Sequence, residues 1–154
     1  MKICYFLEKD HIFLDLKTRN KQELLKELVE QMKLRGLILN DEVVLNELLK
    51  RESICSTGLE QGIAVPHTLT EEVKKPLIAM VLIKAGMDFE AVDQKPTYVL
   101  LLLLGPKNDP GLQLRILAHI CRLVKETPIV EKLKKADSAE DICNIFKQEE
   151  GKIE

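Results

Sequence analysis

Aromatic residues are scarce in this chain: they make up 4% of its 154 residues, and tryptophan is absent. With so few flat rings to stack nucleobases or grip sugars, direct carbohydrate or RNA binding loses ground, and the core must be aliphatic. Neither sign of charge dominates, with 23 Lys and Arg against 25 Asp and Glu. Basic residues such as Lys21, Lys26, Lys33 and Lys74 are scattered along the chain, so no nucleic-acid partner is expected. The four cysteines, Cys4, Cys55, Cys121 and Cys143, form no C-x-x-C pair and no Cys/His cluster at zinc-ligand spacing. Long hydrophobic runs are also missing. The longest, Tyr98 to Leu104, falls well short of the ~20 residues that cross a bilayer. The amino terminus turns charged at Glu8-Lys9-Asp10, too early for a signal-peptide apolar region. The expectation is a cytoplasmic chain with reduced thiols and no membrane insertion. A chain of this size has room for one core and not for two, which suggests one compact soluble domain over 1–154.

What the sequence does contain is clear periodicity. Ile12-Phe13-Leu14 with Leu16 reads as a short strand, and Asn20 with Glu23 as the capped start of a helix carrying Leu24, Leu25, Leu28, Val29 and Met32 on one side. Gly36 should end it, and a second helix from Asn40-Asp41 carries Val44, Leu45, Leu48 and Leu49 and ends on Lys50-Arg51-Glu52. From Ser53 to Gly62 the periodicity fails. Ile63-Ala64-Val65 resumes a strand that Pro66 must end or place at an edge, because proline has no N–H for the ladder. Leu77–Ile83 and Val99–Leu104 are uniformly apolar, as expected of strands covered on both faces by helices. Between them Gly86, Asp88 and Asp93 make a polar connection anchored by Phe89, with no chemistry assigned to it. Asp109-Pro110 opens a helix with Leu114, Leu117, Ile120, Cys121 and Val124 on its apolar side. Thr127-Pro128 starts a shorter helix, and Ser138 with Asp141 caps a last one over 139–147, leaving 148–154 as a polar tail.

Three histidines are the natural candidates for chemistry, since imidazole at a pKa near 6.5 is nucleophilic at cytoplasmic pH. His11, beside Lys9 and Asp10, reads as a solvated surface residue. His119 shares a helix side with Arg115 and Arg122, which suggests a solvated basic face or, alternatively, a patch that meets an anion. His67 follows a strand and Pro66 after a glycine-bearing loop, where a rigid sheet presents functional groups.

The stretch from Arg51 to His67 reads R-E-S-I-C-S-T-G-L-E-Q-G-I-A-V-P-H. It resembles the signature of the fructose-mannitol type IIA domains of the sugar phosphotransferase system, shared by the nitrogen-regulatory IIA proteins: a basic residue, S-T-G, a short step, then G-[IV]-A-[IV]-P-H. The likeness continues through Phe89 to Pro96, the strand after it and the helix near Leu114 to Val124. It covers about residues 12–146. The resemblance implies a three-layer α/β/α sandwich with a mixed central sheet, and it makes His67 the phosphoryl carrier. It also implies that Arg51 supplies positive charge to the phosphoryl oxygens, a task that suits a permanently charged planar fork of donors. Arg51 also reads simply as a cation at a helix C-terminus. Ser56, Thr57 and the loop amides are candidate neutral donors, and Gly58 a residue that permits a turn a Cβ would hinder; turn formation alone explains them equally well.

One departure from the family pattern stands out. Many members carry a second histidine at the start of an H-L-x-x-L-A run, and that position here is Gln113 in Gln113-Leu114-Arg115-Ile116-Leu117-Ala118. Glutamine can hydrogen-bond but carries no charge. His119 is no simple substitute, because six residues turn it about 120° around the helix. The implied partners are HPr or a nitrogen-branch equivalent as donor, and a IIB domain as recipient. The alternative is a regulatory module whose phosphorylation state at His67 alters its grip on other proteins. No cofactor or metal is implied, and the spacing of Gly58 and Gly62 lacks the Walker-type G-K-[ST] ending of a nucleotide loop. The sequence leaves oligomeric state and strand order open.

Overall fold

The computed structural model describes residues 2–154. Five strands, β1 (Ile12–Phe13), β2 (Ile63–Ala64), β3 (His67–Thr70), β4 (Leu77–Met87) and β5 (Thr97–Pro106), form one sheet. Five helices flank it: α1 (Lys21–Leu34), α2 (Asp41–Ile54), α3 (Pro110–Glu126), α4 (Ile129–Lys134) and α5 (Ala139–Lys152). The order is β1-β4-β5-β2, with β3 also on β5. Only the β4–β5 pair is antiparallel, which makes the sheet mixed.

The apolar strands divide their side chains between the two faces of the one sheet, each covered by an apolar layer, as the two-residue period of a strand requires. Ile78, Met80, Leu82, Leu101 and Leu103 face Ile116, Ile120, Leu133, Ile142 and Phe146 of α3, α4 and α5. Ala79, Val81, Leu100, Leu102 and Leu104 face Leu24, Leu28, Met32, Val44 and Leu48 of α1 and α2. The result is the three-layer sandwich with a mixed sheet that the sequence suggested. The helix starts follow the capping residues: Asn20 Oδ1 accepts from Glu23 N at 2.9 Å, Asp109 Oδ1 from Leu112 N at 3.2 Å, and Ser138 Oγ from Asp141 N at 3.1 Å. Gly36, at φ +76°, ends α1 where a left-handed residue is needed.

β2 and β3 keep one register along β5, with Ile63 opposite Val99 and His67 opposite Leu103. They are one edge strand with a rung missing at Pro66, whose carbonyl still accepts from Leu103 N at 2.9 Å. His67 is thus set down immediately beyond the gap, on the sheet's border.

Four expectations need correction. Leu114 and Cys121, placed on the apolar side of α3, are exposed, and that side is made by Ile116, Ile120, Leu123 and Val124. α5 does not end near Lys147: it runs to Lys152, and Glu149 and Glu150 in the supposed tail are fully buried. Lys132 and Lys152 hold Glu149 at 3.0 and 2.8 Å, while Glu150 accepts from Ile3 N at 2.6 Å and Cys4 N at 3.0 Å. His11 is buried and not solvated, its Nδ1 lying 3.1 Å from Phe6 O and 3.0 Å from Ile78 O. His119 faces no open basic patch, because its Nε2 lies 2.7 Å from Glu150 Oε2. His11 directly, and His119 through Glu150, tie the segment from Ile3 to His11 to the sandwich.

Candidate functional site

The half-buried His67 opens β3, and its Nδ1 lies 2.8 Å from the carbonyl of Val65 two residues back. A carbonyl can only accept, so Nδ1 carries the ring proton and the Nε2 lone pair is left free. Burial pushes the pKa of His67 below its usual value. The Val65 hydrogen bond opposes that shift, the nearby Arg51 guanidinium adds to it, and Glu52 opposes it in turn. The net effect holds the ring neutral, with an available electron pair, at neutral pH.

Arg51 arrives from the last turn of α2. Its Nη1 donates to Cys55 O at 2.9 Å, which satisfies a carbonyl left over at the helix end. No carboxylate of the described residues pairs with it, so the rest of the fork is open to an anion. The adjacent Glu52 is engaged elsewhere: its side chain is only 5% exposed, Lys21 Nζ pairs with it at 2.7 Å, and Thr57 donates to it from both N and Oγ1.

The S-T-G turn stands beside the histidine as a scaffold. Ser56 Oγ donates to Phe89 O at 2.7 Å and accepts from Gly58 N at 3.1 Å. The Ser56 and Thr57 hydroxyls, like the amides of Thr57 and Gly58, are therefore already spent on internal bonds and are not open donors. Gly58 has no left-handed backbone. Its requirement is close approach, since a Cβ there would lie 2.7 Å from Phe89 O and 2.9 Å from Ala91 Cα. The turn also covers the border of β2, with Val65 N donating to Thr57 O at 3.0 Å and Leu59 N to Ile63 O at 2.8 Å.

Gln113, in the first turn of α3, is buried with its Oε1 lacking any partner. It rests on Gly105, where a Cβ would fall 2.1 Å from Oε1. The register puts His67 and Leu69 on the same sheet face as Leu103 and Gly105, so Gln113 lies on the face to which the histidine belongs. Arg51 acts on His67 from the α2 side, while Gln113 lies on the α3 side over Gly105, the residue opposite Leu69.

Sequence reasoning missed two features of this site. The connection at Phe89–Ala91, given no chemistry, braces the S-T-G turn, and Lys21 neutralises Glu52. Glu52 was readable as the neighbour of Arg51; Lys21, thirty-five residues from Ser56, left no signal. A cavity of about 570 Å³ bounded by Gly62, Tyr98, Pro128 and Lys134 does not include His67. Among the described residues no group of His, Cys, Asp and Glu could hold a metal ion, and no helix is long and apolar enough to cross a membrane.

A mixed three-layer sandwich with an accessible histidine on its edge strand is an arrangement compatible with carrying a group on a protein surface. The chain belongs to the family described as "Phosphoenolpyruvate-dependent sugar phosphotransferase system, EIIA 2", whose model matches residues 5–149. The family's proteins are phosphocarriers. Relatives of both kinds are found. The chain is 30% identical over 148 residues to the fructose-specific EIIABC component of Bacillus subtilis, covering 96% of this chain but only 23% of that longer protein. It is 30% identical over 147 residues to a nitrogen regulatory protein of Bradyrhizobium diazoefficiens, covering 95% of each. The crystal structure of the nitrogen regulatory protein IIA-Ntr from Neisseria meningitidis superposes with a TM-score of 0.85 at 32% identity, covering 94% of this chain and 98% of that one.

Proposed function

We propose that the chain is a cytoplasmic phosphocarrier in which His67 accepts a phosphoryl group on Nε2 and passes it on. The observation that carries this reading is the bond from Nδ1–H to Val65 O, which leaves Nε2 as the only ring nitrogen with a free electron pair. The donor is a phosphohistidine protein, HPr or its nitrogen-branch counterpart, and the recipient a cysteine or histidine of a IIB partner. As the Nε2–phosphorus bond forms, the donor's nitrogen–phosphorus bond breaks and its electron pair stays with the donor. The His67 ring becomes positive, and the Val65 carbonyl stabilises that charge. Charge in the transition state spreads over three outer oxygens, and Arg51, the cation that acts on His67, has an open face able to meet two of them. Gln113 has no charge to add; its amide contributes a hydrogen bond at most.

A second reading is favoured by the 32% identity to the Neisseria nitrogen regulatory protein. In it the phosphorylation state of His67 changes the chain's grip on other proteins, with no onward transfer. One experiment addresses both. In a mixture of phosphoenolpyruvate, enzyme I and HPr, the wild type should take up one phosphoryl group per chain and His67→Ala none. Stoichiometric labelling of His67→Ala would sink the site assignment. Rapid loss of label to a IIB domain supports the carrier, and retention against a panel of IIB domains supports the regulator.

A further inference from the structure

Two opposite charges follow one another at the end of α2, and only one of them suits a site for a phosphoryl group. Arg51 attracts such a group; Glu52, one residue on, repels it and draws His67 toward its protonated, non-nucleophilic form. The structure deals with Glu52 through a distant residue. Lys21, the first residue of α1, pairs with Glu52 at 2.7 Å and lies 3.9 Å from Glu90, with its ammonium 4.9 Å from the centre of the Phe89 ring. Side-chain exposure is 12% for Lys21 and 5% for Glu52, so solvent screens this pair far less than a surface one. The two Thr57 bonds then fix the neutralised carboxylate against the S-T-G turn.

We infer that Lys21 is a positioning residue for phosphoryl transfer at His67: it holds Glu52 as a neutralised brace for the S-T-G turn and leaves Arg51 as the uncompensated charge facing the incoming group. This rests on His67 being the acceptor. The charged groups facing the histidine are then Arg51 and Glu52 from α2, with Lys21 from α1 and Glu90 from the β4–β5 connection behind Glu52. Lys21 touches no reacting atom and acts through Glu52.

The test compares initial labelling rates of wild type, Lys21→Met, Lys21→Arg and the double variant Lys21→Met/Glu52→Gln at saturating phosphorylated HPr. Lys21→Met keeps the aliphatic stem over Phe89 and removes only the charge; Lys21→Gln replaces it should it fail to fold. The single charge-removing variant should label about tenfold more slowly, the effect of one uncompensated charge near the transition state. Lys21→Arg should restore the rate to within about twofold. The double variant should recover most of it, since the Glu52→Gln amide oxygen can still accept from Thr57. A single variant within twofold of wild type, or a double variant as slow as the single, overturns the inference. Titration of the His67 ring by NMR gives a readout that does not depend on transfer: the midpoint should rise in Lys21→Met and return in the double variant, and an unmoved midpoint counts against Lys21. A wild type that takes no label overturns the carrier reading and with it the transfer role of Lys21, whereas a labelled wild type with an unaffected Lys21→Met overturns that role alone.

Discussion

His67 and His119 are the same side chain held in two different ways, and the contrast shows what makes an imidazole available. His67 is fixed through Nδ1 by one backbone carbonyl, on an edge strand, with Nε2 left open. His119, in the middle of α3, commits its Nε2 to Glu150, a fully buried carboxylate that also accepts from Ile3 N and Cys4 N. Each ring has one nitrogen held and one without a protein partner. Exposure does not separate them either, since both are partly buried; the partner does, a neutral backbone carbonyl for His67 and a buried carboxylate for His119.

The contrast breaks first at Arg51. Arg51→Ala should slow labelling of His67 by roughly 10²-fold, the scale for losing one donor to transition-state charge, while leaving the melting temperature nearly unchanged. Arg51→Lys should fall between the two, because a point charge replaces a planar fork. Equal rates for wild type and Arg51→Ala in single-turnover kinetics would remove Arg51 from the site.

The anchor should respond in the opposite sense. Glu150→Ala strands the buried Ile3 amide, the partly buried Cys4 amide and a histidine, and should cost about 3 kcal/mol in urea unfolding while His67 still takes up its label. For a chain of this size that corresponds to a fall in Tm of roughly 6–12 °C. An unchanged unfolding midpoint would show that the terminal turn of α5 is not held as described.

The smallest effect is on proton affinity. The His67 ring should titrate by NMR below the ordinary midpoint near 6.5, because burial and Arg51 both disfavour its charged form. Labelling should therefore persist as the pH falls to about 6.5, and Arg51→Ala should move the midpoint upward. For stability the sign follows from which state takes the proton first. The unfolded chain protonates its histidine near 6.5 before the folded one does, so this residue has no effect above that pH and lowers stability as the pH falls through it. A His67 midpoint above 6.5 would contradict the electrostatics of the site.

Much of the sandwich was legible in the sequence. The strands and helices announced themselves because each buries a face whose period is its own, and Asn20, Asp109 and Ser138 marked helix starts through local hydrogen bonds. The last turns of α5 were not legible. Glu149 and Glu150 look like solvated tail residues until their partners are known, and Ile3 lies 147 positions away from Glu150 along the chain. His11 was misjudged for the same reason, since the Ile78 carbonyl beside it is 67 residues distant. At the candidate site, the motif pointed to His67 and Arg51 because both fall in one short stretch, from the last turn of α2 to the start of β3. It did not reveal that Ser56 and Thr57 spend their hydroxyls internally, nor that Gly58 is required by the backbone of Phe89 and Ala91; the connection packed on top sets Ser56 and Gly58, and Glu52 of α2 sets Thr57.

The missing rung at Pro66 and the single open nitrogen beyond it have a kinetic corollary. His67 sits on a border with room for one visitor, and it offers that visitor one lone pair. In the proposed role, loading and unloading must alternate over the same ground, so the upstream and downstream partners exclude one another. Such a relay follows a ping-pong scheme, and an excess of the unphosphorylated donor becomes an inhibitor of delivery. Throughput is then governed by how fast each partner lets go.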